Sequence, residues 1–169
     1  MLAQGEARAR GYDQLLWLFG PEAHVTEAGA SNLFVVWRTR EGKVQLVTAP
    51  LEDMIILEGV TRASVLQLAR ERLSESSSGV EAAEVVERKF TMNEVVEAVH
   101  EGRIVESFAV GTAFFVAPVG LIGWKDQELE IPLVEGKTGV YARLIRGWLS
   151  DIMYGREEHE WGVVVEEKE

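Results

Sequence analysis

The sequence predicts a mixed α and β fold, and three observations carry that prediction. Short apolar runs alternate with Gly, Pro and Asp turn signals, and two later stretches repeat apolar residues at helical spacing. Hydrophobic residues make up 47% of the 169, enough for a sizeable core. Length and composition together point to one domain over residues 1–169.

A short helix is expected around Gln4 to Arg10, followed by a buried strand over Gln14 to Phe19 that ends at the Gly20-Pro21 turn. His24 to Glu27 and Leu33 to Trp37 read as strands around the Ala28-Gly29-Ala30-Ser31 corner, and Glu41-Gly42 turns a hairpin into Gln45 to Thr48. Ile55 to Leu57 leads into Gly59-Val60-Thr61, where a helix begins whose apolar positions Val65, Leu66, Leu68 and Ala69 carry it to about Leu73. Ser74 to Gly79, with four serines in six residues, is an exposed loop. Strand is expected again over Glu84 to Phe90. Thr91-Met92-Asn93-Glu94 has the T-x-x-E form of a capping box, opening a helix to His100. Ile104 to Ala109 and Thr112 to Val119 flank a Gly-Thr corner as strands, and Asp126-Gln127 turns a hairpin toward Glu128 to Pro132. Val140, Leu144, Ile145, Trp148, Leu149 and Ile152 mark the core face of a last amphipathic helix. Arg156 to Glu160 is a charge run, expected as a solvated helix end or tail.

Charge removes several function classes. Seventeen basic against 28 acidic side chains give a net −11, which argues against a nucleic-acid or anionic-membrane partner. The chain has no cysteine, hence no disulfide, thiolate nucleophile or cysteine metal site. The opening MLAQGEARAR has no apolar core of signal-peptide length. Ser107 to Trp124, the longest uncharged stretch, is cut by Gly111, Pro118, Gly120 and Gly123 into strand-sized pieces and reads as buried β structure. His24, His100 and His159 lack metal spacing and are expected at the surface; no metal site is predicted.

Two corners could carry chemistry. Gly59-Val60-Thr61 and Gly111-Thr112 each join a glycine, which permits close backbone approach, to a hydroxyl. The first stands at a helix start, where free amides and the positive end of the dipole favour an anion such as phosphate. Gly-x-Thr also opens ordinary helices, so the spacing alone leaves both readings open. Glu27 is the third candidate: a carboxylate after Val25 that needs a partner if buried, or a turn residue in solvent if not.

Four blocks change those weights: GYDQLLWLFGPEAHVTEAGASNLFVVW, LEGVTRASVLQLAR, FAVGTAFFVAPV and DIMYGREEHEW. In order and spacing they resemble the C-terminal part of the branched-chain amino-acid aminotransferases, pyridoxal-phosphate enzymes of fold type IV. The resemblance runs from about Ala3 to Val165. It implies the large pseudo-barrel domain of that fold, incomplete at its N-terminal side. It also implies that Glu27 pairs with the pyridine nitrogen of the cofactor, that Val60 and Thr61 hold its phosphate by an amide and a hydroxyl, and that Gly111 and Thr112 form the second half of the phosphate cup. Ala113 matches the position whose amide meets the substrate carboxylate. Ala30 stands where some relatives carry a threonine for similar work.

The family's Schiff-base lysine, with an arginine, a tyrosine and the small domain, falls upstream of these blocks. Lys43, Lys89, Lys125, Lys137 and Lys168 all lie outside the matching motif, in turn or charged surroundings that suggest solvated side chains. No catalytic residue is therefore assigned. Some relatives carry a C-x-x-C pair where this chain has Phe114 and Ala117. The resemblance implies amino transfer between Leu, Ile or Val and 2-oxoglutarate, here in a truncated form with little or no activity alone. The alternative is a lysine-less binding or dimerisation protein of the same fold. Either reading implies an intracellular protein, cytoplasmic or mitochondrial, that associates with itself or with a related chain.

Overall fold

A computed structural model describes residues 2–75, 79–113, 115–163 and 165. Its spine is one long strand, β3 (Ser31–Arg38), whose residues 32–37 are all buried. Along one edge β3 pairs antiparallel with β6 (Ile104–Gly111), from Asn32↔Val110 to Trp37↔Ile104. The other edge forks. Residues Phe34 to Arg38 pair with β4 (Val44–Thr48), whereas Ser31 and Asn32 pair with β2 (His24–Ala28). At the fork Thr48 turns its buried hydroxyl onto the Leu33 carbonyl at 2.7 Å, satisfying an acceptor that two diverging strands would otherwise strand.

The sheet is completed by β1 (Leu16–Phe19) beyond β2, β5 (Glu84–Glu87) parallel to β4, and β7 (Phe115–Pro118) beyond β6. A separate hairpin joins β8 (Leu121–Trp124) to β9 (Gln127–Glu130). The helices are α1 (Leu2–Ala9), α2 (Val60–Arg72), α3 (Met92–His100) and α4 (Val140–Met153). The α2 helix supplies the crossover that a parallel β4–β5 pair requires.

Strand alternation sends side chains to two cores. Phe34, Val36, Leu46, Phe108 and Val110 face α2 and α4 on one side. Phe34 and Phe108 stack there with centroids 5.4 Å apart. On the other side Leu33, Val35, Trp37 and Val47 meet α3 and the β8–β9 hairpin.

Most expected elements are present, with differences that have physical causes. The first strand is an edge, not buried: among the described residues β1 has only β2 as a neighbour, and Trp17 and Phe19 are 49% and 59% exposed. Ile55 to Leu57, expected to lead into α2, does so as irregular backbone across the fork. The strand expected over Glu84 to Phe90 stops at Glu87, where pairing with β4 ends. Thr112 and Ala113 form the turn between β6 and β7, so the second strand of that hairpin starts only at Phe115. His24 is half-buried rather than superficial; its Nε2 lies 2.9 Å from Glu22 and its buried Nδ1 has no partner among the described residues. The charge run is anchored, because Glu157 takes a two-pronged pair from Arg72, whose guanidinium also lies over Trp148. Ser76 to Ser78 of the expected serine loop, Phe114 and Lys168 lie outside the described residues.

Candidate functional site

The fork in the sheet is where the sequence-derived site residues meet. Glu27 sits opposite Asn32 in the β2–β3 pair, one step before a tight corner at Gly29, whose φ of +60° suits glycine. The irregular Leu57–Gly59 segment crosses this corner. The Leu57 amide donates to Glu27 Oε1 at 3.0 Å, and Asn32 Nδ2 donates to the same oxygen at 3.4 Å and to the Leu57 carbonyl at 3.1 Å. Glu27 is thus half-buried and, among the described residues, partnered by amides and not by a cation.

Gly59 caps α2 in extended conformation, with φ −93° and ψ 125°. It rests directly on Asn32: a Cβ at position 59 would fall 2.3 Å from Asn32 Oδ1. No side chain among the described residues accepts from the amides of the first α2 turn, Val60 to Arg62. Val60 is 83% exposed, and Thr61 is half-buried beside it. The start of α2 is therefore open on its solvent side, with its dipole uncompensated.

Gly111 reaches the same corner from β6. A Cβ there would meet Ser31 Oγ at 2.6 Å and lie 3.7 Å from the Ala30 carbonyl, so the two turns touch here and a larger residue would have to displace the Ser31 hydroxyl. Thr112 and Ala113 follow directly and are exposed, as is Ala30. The β6–β7 turn closes through Phe115 at φ +58°, a left-handed conformation uncommon for a bulky residue. The seven expected positions thus lie at or beside the β2–β3 turn, the start of α2 and the β6–β7 turn, which meet at this corner. The four described lysines are exposed elsewhere; Lys89 pairs with Asp53 and Lys125 lies over Trp124.

Three supporting groups escaped the sequence reading. Asn32 is a polar residue inside the apolar run S-N-L-F-V-V-W, a visible signal. Arg62, next to Thr61, is 2% exposed and ties the first turn of α2 to the Ala49 carbonyl at 2.8 Å and to Glu87 at 2.6 Å. Burial pushes the Glu87 carboxyl up, but Arg70 and Arg62 outweigh it and hold it below its ordinary value of 4.5. Glu106, 1% exposed, caps a different helix: its oxygens accept from the Tyr141 and Ala142 amides at 3.0 and 2.6 Å. Burial pushes this carboxyl above 4.5, and those amides hold it only partway down.

A cavity of about 1260 Å³ lies on the Leu33 side of the sheet between Ala7, Tyr12, Leu16 and Val119 and reaches Ala28 and Ser31 beside the corner. None of the seven site positions lines it. The corner is instead an open surface. It brings the uncapped start of α2 next to a carboxylate held by two hydrogen-bond donors.

The model of the Amino-transferase class IV family matches residues 1–122. The chain belongs to that family. Among class IV relatives, the cytosolic branched-chain-amino-acid aminotransferase of Saccharomyces cerevisiae is 46% identical over 168 residues, covering 98% of this chain and 43% of the relative. The mitochondrial branched-chain-amino-acid aminotransferase of Schizosaccharomyces pombe is 44% identical over 96% of this chain and 37% of its own length. The chain thus spans less than half the length of these relatives. A solved 4-amino-4-deoxychorismate lyase from Pseudomonas aeruginosa superposes with a TM-score of 0.55 over 89% of this chain and 46% of its own, at 24% identity, which speaks to the fold alone. The aminotransferase fold expected from the four sequence blocks is therefore the fold of this chain. Among its described residues no helix is long and apolar enough to cross a membrane.

Proposed function

We propose that this chain carries the cofactor-phosphate and ring-nitrogen half of a branched-chain aminotransferase site. The observation that carries the reading is the convergence of Glu27, the open start of α2 and the Gly111 turn on one corner of the forked sheet. The donor set fits pyridoxal phosphate. A phosphate needs free amides and hydroxyls, which Val60 and Thr61 offer at the start of α2 and Thr112 offers on the exposed β6–β7 turn. A protonated ring nitrogen needs a carboxylate that is already oriented. Glu27 has Oε1 engaged by two donors and Oε2 without a protein partner among the described residues.

When bound, pyridoxal phosphate supplies the electron sink for transfer of an amino group. The residues of this chain bind and orient. Val60, Thr61, Gly111 and Thr112 seat the phosphate, and Glu27 keeps a proton on the ring nitrogen. The Ala113 amide and the open corner at Ala30 receive the carboxylate of the amino or 2-oxo acid, with Leu, Ile and Val and 2-oxoglutarate as the proposed substrates. Residues 1–169 act as one domain in this reading, since both cores flank one sheet. The named relatives, cytosolic and mitochondrial, support an intracellular site of action. The exposed Trp17 and Phe19 on edge strand β1 support association with another copy or a related chain.

Because no lysine stands at the corner among the described residues, the chain alone binds the cofactor reversibly and turns over little. The test is to titrate the purified chain with pyridoxal phosphate and with pyridoxal, then reduce with borohydride and map modified peptides by mass spectrometry. Expected are phosphate-dependent binding, about tenfold weaker in Thr61→Ala, and no single lysine labelled stoichiometrically. Equal affinity for pyridoxal would remove the phosphate seat from the account. Stoichiometric labelling of one lysine would make the chain an enzyme in its own right.

A further inference from the structure

Asn32 is 6% exposed in a strand whose neighbours Leu33 and Phe34 are core residues. A polar side chain there is costly unless its hydrogen bonds are satisfied. Its two amide protons are used in one place: Nδ2 donates to the Leu57 carbonyl and to Glu27 Oε1, while the Leu57 amide closes the ring onto the same Glu27 oxygen. Turning the amide over would set Oδ1 against two acceptors, so the network fixes its orientation. Gly59 then seats its backbone on Oδ1, where any side chain would collide.

We propose that Asn32 is a positioning residue that locks Glu27 to the Leu57–Gly59 segment, so that the acid for the ring nitrogen and the first turn of the phosphate-seating helix form one rigid unit. The proposal rests on the cofactor reading above for its consequence, but the lock itself is a property of the chain. It occupies Glu27 Oε1 and leaves Oε2 without a partner among the described residues, so Oε2 is the oxygen a protonated ring nitrogen would find unengaged. It also carries any displacement of α2 to Glu27 through Leu57, without a mobile side chain between them.

The test compares the chain with its Asn32→Leu and Asn32→Asp variants, reading amide hydrogen exchange at Leu57 and affinity for pyridoxal phosphate. Both substitutions keep the size of the side chain; one deletes the donors and the other replaces them with acceptors. In Asn32→Leu, protection at Leu57 falls about tenfold and pyridoxal phosphate binds about tenfold more weakly, while the Phe34 and Leu46 amides keep their protection. In Asn32→Asp the same losses occur at about pH 8 and protection recovers by about pH 5.5, because a protonated carboxyl donates again. That recovery decides the matter if Asn32→Leu fails to fold. Unchanged protection at Leu57 in a folded Asn32→Leu chain, or an Asn32→Asp loss that ignores pH, overturns the lock. Should the unaltered chain bind no pyridoxal phosphate while Leu57 still depends on Asn32, the lock stands and the functional reading falls.

Discussion

Helices α2 and α4 pack side by side on the same core, and their starts are built alike up to one choice. Each begins at a glycine whose backbone rests on a polar side chain from the central strands, Gly59 on Asn32 of β3 and Gly139 on Glu106 of β6. Under α4 the polar residue is a carboxylate that reaches forward and accepts from the Tyr141 and Ala142 amides. Under α2 it is an amide that reaches backward to Leu57 and Glu27. One helix is closed by the protein; the other is left open beside a fixed acid. The difference shows that an uncapped start in this fold is a local decision, since the means of capping stands one strand away.

The strongest way to break this comparison is at the anchor of the open helix. Arg62→Ala leaves Glu87 with Arg70 alone and the buried Ala49 carbonyl without its donor, and losing a guanidinium that is itself buried costs about 3 kcal/mol, read by urea denaturation. A loss below about 1 kcal/mol would mean that Arg70 alone holds the strand to the helix. Glu106→Ala uncaps the closed helix. It leaves two buried amides unpaired, for an expected loss of about 2 kcal/mol by the same measurement.

The two carboxyls also titrate with opposite sign. Glu87 is lowered, so its contribution is complete above pH 4.5 and is lost as pH falls through its depressed value. Glu106 is raised, so its ionisation weighs against folding above that raised value, and the penalty disappears as pH falls toward 4.5. Urea midpoints of the unaltered chain should therefore gain on those of Glu106→Ala as pH drops from neutral toward 4.5. A constant difference across that range would contradict the burial argument. The smallest effect belongs to the third helix. Thr91→Ala removes one half of the α3 capping box, in which Thr91 Oγ1 accepts from the Glu94 amide at 3.2 Å, for about 1 kcal/mol.

That capping box was legible because it is local: four consecutive residues contain both of its partners. The Gly59 and Gly111 corners were legible for a related reason, since a glycine beside a hydroxyl names its own turn. The resemblance of four ordered blocks then assigned Glu27 and the corners to one site. Asn32, Arg62 and Glu106 were not legible, because each is buried and pairs with residues 25, 25 and 35 positions away, joined only by the folded sheet. The edge position of β1 was missed for the same cause. An apolar run that ends at a turn signal predicts a strand, but how many neighbours it has is a matter of topology. Glu157 looked like solvated tail until α2 and α4 were brought together to place Arg72 beside it.

The central claim is that the start of α2 is kept open for an anion while the start of α4 is closed by the chain itself. It is tested most directly by following backbone amide resonances while inorganic phosphate and then pyridoxal phosphate are added to the purified chain. The account predicts that Val60, Thr61, Gly111 and Thr112 shift together and saturably with both ligands, that Leu57 responds only to pyridoxal phosphate through Glu27, and that Tyr141 and Ala142 do not move. Shifts of equal size at Tyr141 and Ala142, or none at Val60 and Thr61, would contradict it.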